Sequence, residues 1–247
     1  METKKFSIKR LIEEFVSTAK EVIYEPQKTI LVIVLSIIAF YLTSKFEGLL
    51  FENDVNLPSG YLIFKIMTPI FISFTVVYFQ KETLQSALQH VKPHIQPLLL
   101  IGFLWFFTEY LLSELTSWII SSNAQDFITE GFTKPHDDFE FDLISFGVTS
   151  VVAGITFGII ATFISFVALI SATYIIVKQT DFYQAVTFAL NFVLSNILAF
   201  TVFFIGLFIL LFLVSLIFSI FTAGLSIFVL FSILTVILPI FFAKLIH

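Results

Sequence analysis

Between Asp181 and Lys244 the chain carries no charged side chain. A helix that crosses a bilayer needs about 20 mostly apolar residues, so this one run has room for two crossings. The rest of the 247 residues follows the same plan. Hydrophobic residues make up 58% and charged residues 13%, against roughly 25% charged in a soluble domain. The apolar runs are continuous, without the period-two alternation of a membrane β-barrel. The expected fold is all-α: a polytopic transmembrane helical bundle, one integral membrane domain over residues 1–247.

The N-terminal "METKKFSIKRLIEEFVSTAKEV" is too charged to hold the apolar core of a cleavable leader, so the first span is expected to act as its own insertion signal. Over residues 6–25, Ile8, Leu11, Ile12, Phe15, Ala19, Val22 and Ile23 share one helical stripe. Lys9, Arg10, Glu13, Glu14, Lys20 and Glu21 take the other side, which predicts an amphipathic helix lying in the membrane interface. Pro26 ends it. Six spans follow, at about 29–50, 61–80, 96–119, 143–177, 192–220 and 225–244. Acidic loops fall at "FENDVNLPSG" and "NAQDFITEGFTKPHDDFEFD", and short amphipathic connections at "KETLQSALQHVKPH" and "KQTDFYQAVTFAL". The block 143–177 is long for one crossing and short for two; no polar turn divides it, so it reads as one tilted helix with an extension.

Charge sets the orientation. With six spans, Lys4, Lys5, Lys9, Arg10, Lys20, Lys28, Lys81, Lys92, Lys178 and Lys244 fall on one side. Only Lys45 and Lys134 fall on the other, among nine acids: Glu47, Glu52, Asp54, Asp126, Glu130, Asp137, Asp138, Glu140 and Asp142. The positive-inside rule then puts both termini in the cytoplasm.

The same unit recurs three times, over residues 6–80, 81–177 and 178–247: an interfacial helix, an outward span, an inward span. Lys81 and Lys178, the threonine two residues after each, and Ala87 and Ala185 match at the second and third joints. Either this is true repetition about an axis along the membrane normal, or such joints are alike in composition alone. Gln184-Ala185-Val186, Asn191 and Ser195-Asn196, and more loosely Ser86-Ala87-Leu88, resemble the short motifs of the bacterial YciC-like membrane proteins. They are also similar to the membrane domain of some glycerophosphodiester phosphodiesterases. The resemblance covers most of the chain and implies a six-helix protein of the bacterial inner membrane. It brings no catalytic residues, because the catalytic domain of those phosphodiesterases is separate. The 34 phenylalanines depart from that family's pattern.

Few residues stand out as sites. Glu109 and Glu114 lie in "LWFFTEYLLSEL", but five residues turn a helix by about 140°, so they cannot share a face. Glu109 is too deep in its span to snorkel. It is the candidate for binding a proton, a cation or a polar ligand group near Tyr110; the competing role is a protonated carboxyl bonded to another helix. Lys65, four residues in from the outer end of the second span, matches Glu114 in depth. The two either form an intramembrane ion pair or snorkel separately. His90 and His94 have the four-residue spacing of a helical metal pair, with Pro93 between them to disrupt the turn, so no metal site is expected. The cluster around His136 reads as a solvated acidic loop. Asn191 and Ser195 can bond across helices, and Gly154 and Gly158 in "GITFG" suggest close helix contact.

The chain has no cysteine, no HExxH, no GxSxG and no Gly-rich phosphate loop. It is therefore expected to be non-catalytic, without a cofactor and without a nucleic-acid partner. Its expected partners are membrane lipids, and another membrane protein or further copies of itself. Two functions compete: an accessory, assembly or envelope-homeostasis component acting through helix packing, and a small transporter or lipid-handling permease with Glu109 in a membrane cavity.

Overall fold

The computed structural model describes residues 5–50, 61–81, 83–131, 136–222 and 225–247. Their order is α1 (Ile8–Tyr24), α2 (Pro26–Leu50), α3 (Tyr61–Gln80), α4 (Leu84–Val91), a 3₁₀ turn (Lys92–His94), α5 (Ile95–Gly131), α6 (His136–Lys178), α7 (Phe182–Thr222) and α8 (Leu225–Ile246). No strand occurs among the described residues. Helix is what such a composition requires, since in hydrocarbon each backbone N–H and C=O must be satisfied within its own segment. Four stretches are long and apolar enough to cross a membrane: Ile63–Gln80, Leu84–Ser122, Ser150–Lys178 and Phe182–Val214. The bent pair Ile8–Tyr24 and Pro26–Ala39 adds a fifth if it is counted as one span.

Several helices outrun their expected bounds. α5 continues through Gly131 and α6 begins at His136, so most of the expected loop 123–142 is helical backbone. The sequence explains this: no proline or glycine lies between Ile120 and Glu130, and the first breakers are Gly131 and Pro135. Likewise "KQTDFYQAVTFAL" is not a separate piece. From Phe182 it runs straight into α7, with no breaker before Gly206. The other acidic loop, 51–60, and the turn at 223–224 lie outside the described residues, as do the side chains of His136, Asp137, Asp138, Glu140 and Asp142.

The first joint bends by 90° between α1 and α2. Pro26 has no N–H to donate to the carbonyl of Val22, and it pushes Glu25 out of helical geometry (φ −112°, ψ 60°). The Thr29 hydroxyl donates to that orphaned Val22 carbonyl at 2.7 Å. Three helices start alike. The side chains of Ser7, Thr83 and Asp181 each accept the backbone N–H three residues on, from Arg10, Ser86 and Gln184. Four residues after each cap stands a fully buried side chain: Leu11, Ala87 and Ala185. Fifteen residues after each stands a buried one: Val22, Leu98 and Asn196.

The chain divides into two compact units: Met1–Phe103 with Val167–His247, and Leu104–Phe166. The core of the first unit takes Leu11 and Val22 from α1, Val76 and Val77 from α3, Ile170 and Ile175 from α6, and Val236, Phe241 and Phe242 from α8. The α1 stripe does not act as one face. Leu11 and Val22 are buried, whereas Ile8, Ile12 and Ile23 are exposed, because α1 packs its inner edge on α7 and α8. Phe15 meets Phe203 at 5.6 Å and Phe241 at 5.7 Å, both edge-on. Lys244 bonds Glu21 at 2.7 Å, tying the end of α8 to α1. The second unit is the distal part of α5 and the proximal part of α6, joined by residues 132–135.

Candidate functional site

Glu109 lies on α5 within the second unit, one helical turn after Trp105. The Trp105 indole N–H donates to Glu109 Oε1 at 2.5 Å, and its nitrogen lies 3.2 Å from Ser165 Oγ on α6. Ser165 Oγ is 2.9 Å from Glu109 Oε1 and also 2.9 Å from the carbonyl of Ala161. A serine has one hydroxyl hydrogen, so that proton goes either to the carboxyl or to its own helix. Glu109 is half-buried among apolar neighbours, and both groups that donate to its Oε1 are neutral. The cluster can do two things: fasten α5 to α6, and hold an ionisable carboxyl in one orientation inside an oily helix pair. Tyr110, expected beside Glu109, stacks on Phe106 at 6.0 Å.

The other expected residues are placed less tightly. Lys65 is half-buried on α3 in the first unit, and Glu114 is exposed on α5 in the second. The two residues expected to pair thus belong to different units. His90 and His94 are half-buried, with ring centroids 6.4 Å apart, and the helix tightens to a 3₁₀ turn at Lys92–His94, where Pro93 falls. Among the described residues no three histidine or carboxylate side chains converge as a metal ion would need. Gly154 and Gly158 face open space: a Cβ added at either would meet nothing within 4 Å.

Two working positions fall outside the expected site residues. The first is Asn196, which the sequence marks only as part of the Ser195-Asn196 motif. Asn191 and Ser195 are exposed on α7, whereas Asn196 is buried. Asn196 accepts the Phe6 N–H at 2.8 Å and donates to the Phe192 carbonyl at 2.9 Å. Phe6 in turn packs on Phe192, ring to ring at 5.5 Å. The second is Gly102 on α5, where an added Cβ would fall 2.0 Å from the backbone oxygen of Ile66. Only hydrogen fits there. No family model matches this chain, and no curated protein or solved structure matches it.

Proposed function

We propose that the chain is a non-catalytic integral membrane protein of the bacterial cytoplasmic membrane, akin to the YciC-like family, acting through helix packing as an accessory, assembly or envelope-homeostasis component. In this reading α2, α3, α5, α6, α7 and α8 make six crossings, with both termini in the cytoplasm. One observation carries it. Among the described residues the side chains buried as a whole and polar are Thr18, Thr29, Ser73, Thr75, Ser171, Thr173 and Asn196, all in the first unit, and each hydrogen-bonds to backbone; of the half-buried ones, Ser150 and Thr180 hold a buried hydroxyl without a partner. Polar groups spent on carbonyls and N–H groups stabilise packing and leave no buried side chain of that set turned to a ligand. The recurrent caps at Ser7, Thr83 and Asp181, with burial at matched offsets, support three repeats as the origin of the bundle.

Glu109 favours the second reading, a small transporter or lipid-handling permease, because an oriented carboxyl within a span is a site for a proton or cation. One experiment separates the two. Purified in mild detergent after cross-linking in the membrane, the protein is expected to bring a partner in stoichiometric amount. Glu109 is expected to resist a water-soluble carbodiimide. A lone monomer whose Glu109 is modified from water, and whose Glu109→Gln variant loses a measured flux, would overturn the packing role.

A further inference from the structure

The first unit carries a groove of about 600 Å³ between α3 and the segment from the 3₁₀ turn into α5. Ile66 forms one wall; Lys92, Gln96, Leu99, Leu100 and Phe103 form the other. Lys92, Gln96, Leu99 and Phe103 are spaced by four, three and four residues, which places them on one stripe of a helix. The stripe is polar at one end and apolar over the rest. From Lys92 to Phe103 a helix rises about 16 Å at roughly 1.5 Å per residue, close to half of the ~30 Å hydrocarbon thickness. The groove therefore has the length of one leaflet and the polarity order of a lipid.

Charge names the headgroup. From Thr83 to Thr108 the chain holds no acid, while His90, Lys92 and His94 cluster at the polar end. Lys92 is exposed and makes no ion pair among the described residues. Gln96, one turn further in, is exposed too and offers an amide N–H beside that cation. A soluble anion would find Lys92 but would have no use for the Ile66, Leu99 and Phe103 walls. A zwitterionic lipid would fill the walls but would bring its own cation to Lys92.

We propose that this groove retains one anionic phospholipid, its phosphate on Lys92 and Gln96 and an acyl chain along Ile66, Leu99 and Phe103. Retention is measured without reference to topology. Native mass spectrometry tests it, on the full chain in detergent supplied with phosphatidylglycerol or phosphatidylcholine of matched chains. One phosphatidylglycerol is expected to stay bound, at about fivefold higher occupancy than phosphatidylcholine, the ratio one surface lysine gives an anionic headgroup. Lys92→Gln is expected to erase that preference and leave phosphatidylcholine unchanged; its exposure makes misfolding no obstacle. Leu99→Trp, which fills the groove, is expected to lower both. Equal retention of the two lipids in the wild type, or a preference that survives Lys92→Gln, would overturn the proposal. So would displacement of the lipid by soluble glycerol phosphate, which would make this a free-anion site.

Discussion

Replacing Gly102 with alanine sets two sizeable effects against each other. Alanine is the better helix former by about 1 kcal/mol, so on propensity alone Gly102→Ala should stabilise α5. The close approach says otherwise. The new Cβ would lie 2.0 Å from the Ile66 oxygen, 2.7 Å from its carbonyl carbon and 2.8 Å from its Cα, where ordinary contact begins at 3.4 Å. All three are backbone atoms, so no side chain can swing aside; α3 and α5 must part by more than an ångström at this level. Overpacking of this kind costs about 1–3 kcal/mol, and here the backbone contact puts it at the upper end. The net expectation is a loss of roughly 2 kcal/mol after the propensity gain. Denaturant titration of the purified protein in detergent reads it directly, with Gly158→Ala as the internal control. Nothing lies within 4 Å of a Cβ at Gly158, so that variant should be neutral or more stable. A Gly102→Ala protein as stable as the Gly158→Ala protein would refute the close-approach argument.

Other changes have equally definite signs. Asn196→Ala strands the buried Phe6 N–H, at a cost of about 1–3 kcal/mol; cleavage by trypsin at exposed Lys9 should quicken, and an unchanged cleavage rate would show that α1 is held by its apolar contacts alone. Gln179 sits at φ 52° just after α6, a left-handed geometry that costs a non-glycine residue about 1 kcal/mol. Gln179→Gly should therefore raise the melting temperature, and a fall would mean the side chain supplies a contact worth more than the backbone cost. Because the chain has no native cysteine, a cysteine placed at Ser122 should react with an impermeant maleimide from outside the cell and one at exposed Lys178 only from inside. The opposite pattern would dismantle the six-span reading.

The sequence marks helix interiors well and helix relations poorly, for reasons visible in single residues. The expected span 61–80 coincides with α3, because lipid sets its length and residues 51–60 flank it with polar groups. Trp105 and Glu109 are one turn apart and could have been paired by spacing; Ser165, 56 positions from Glu109, could not. Asn196 and Ser195 are neighbours, yet about 100° apart on the helix. Which of them is buried depends on where α1 docks, and no pattern within α7 records that. Gly102 looks like any helical glycine until Ile66 is set against it, while the conspicuous Gly154 and Gly158 touch nothing.

That division follows from the solvent. Between apolar helices in lipid there is little hydrophobic drive to bring them together, and each polar bond across helices is worth only about 0.6–2 kcal/mol. Such bonds among the described residues of the first unit include Phe6 to Asn196, Thr29 to the Val22 carbonyl, Ser73 to the Ala172 carbonyl at 3.2 Å, and Lys244 to Glu21 and Ser17. Bonds of that size can select a register, but they cannot supply the cohesion. Cohesion has to come from ring packing of the kind seen where Phe200, Phe203, Phe241 and Phe242 meet at 5.2–5.9 Å. Phenylalanine recurs so densely through the chain that composition advertises the adhesive, while the few residues that decide what adheres to what leave almost no trace in any periodicity.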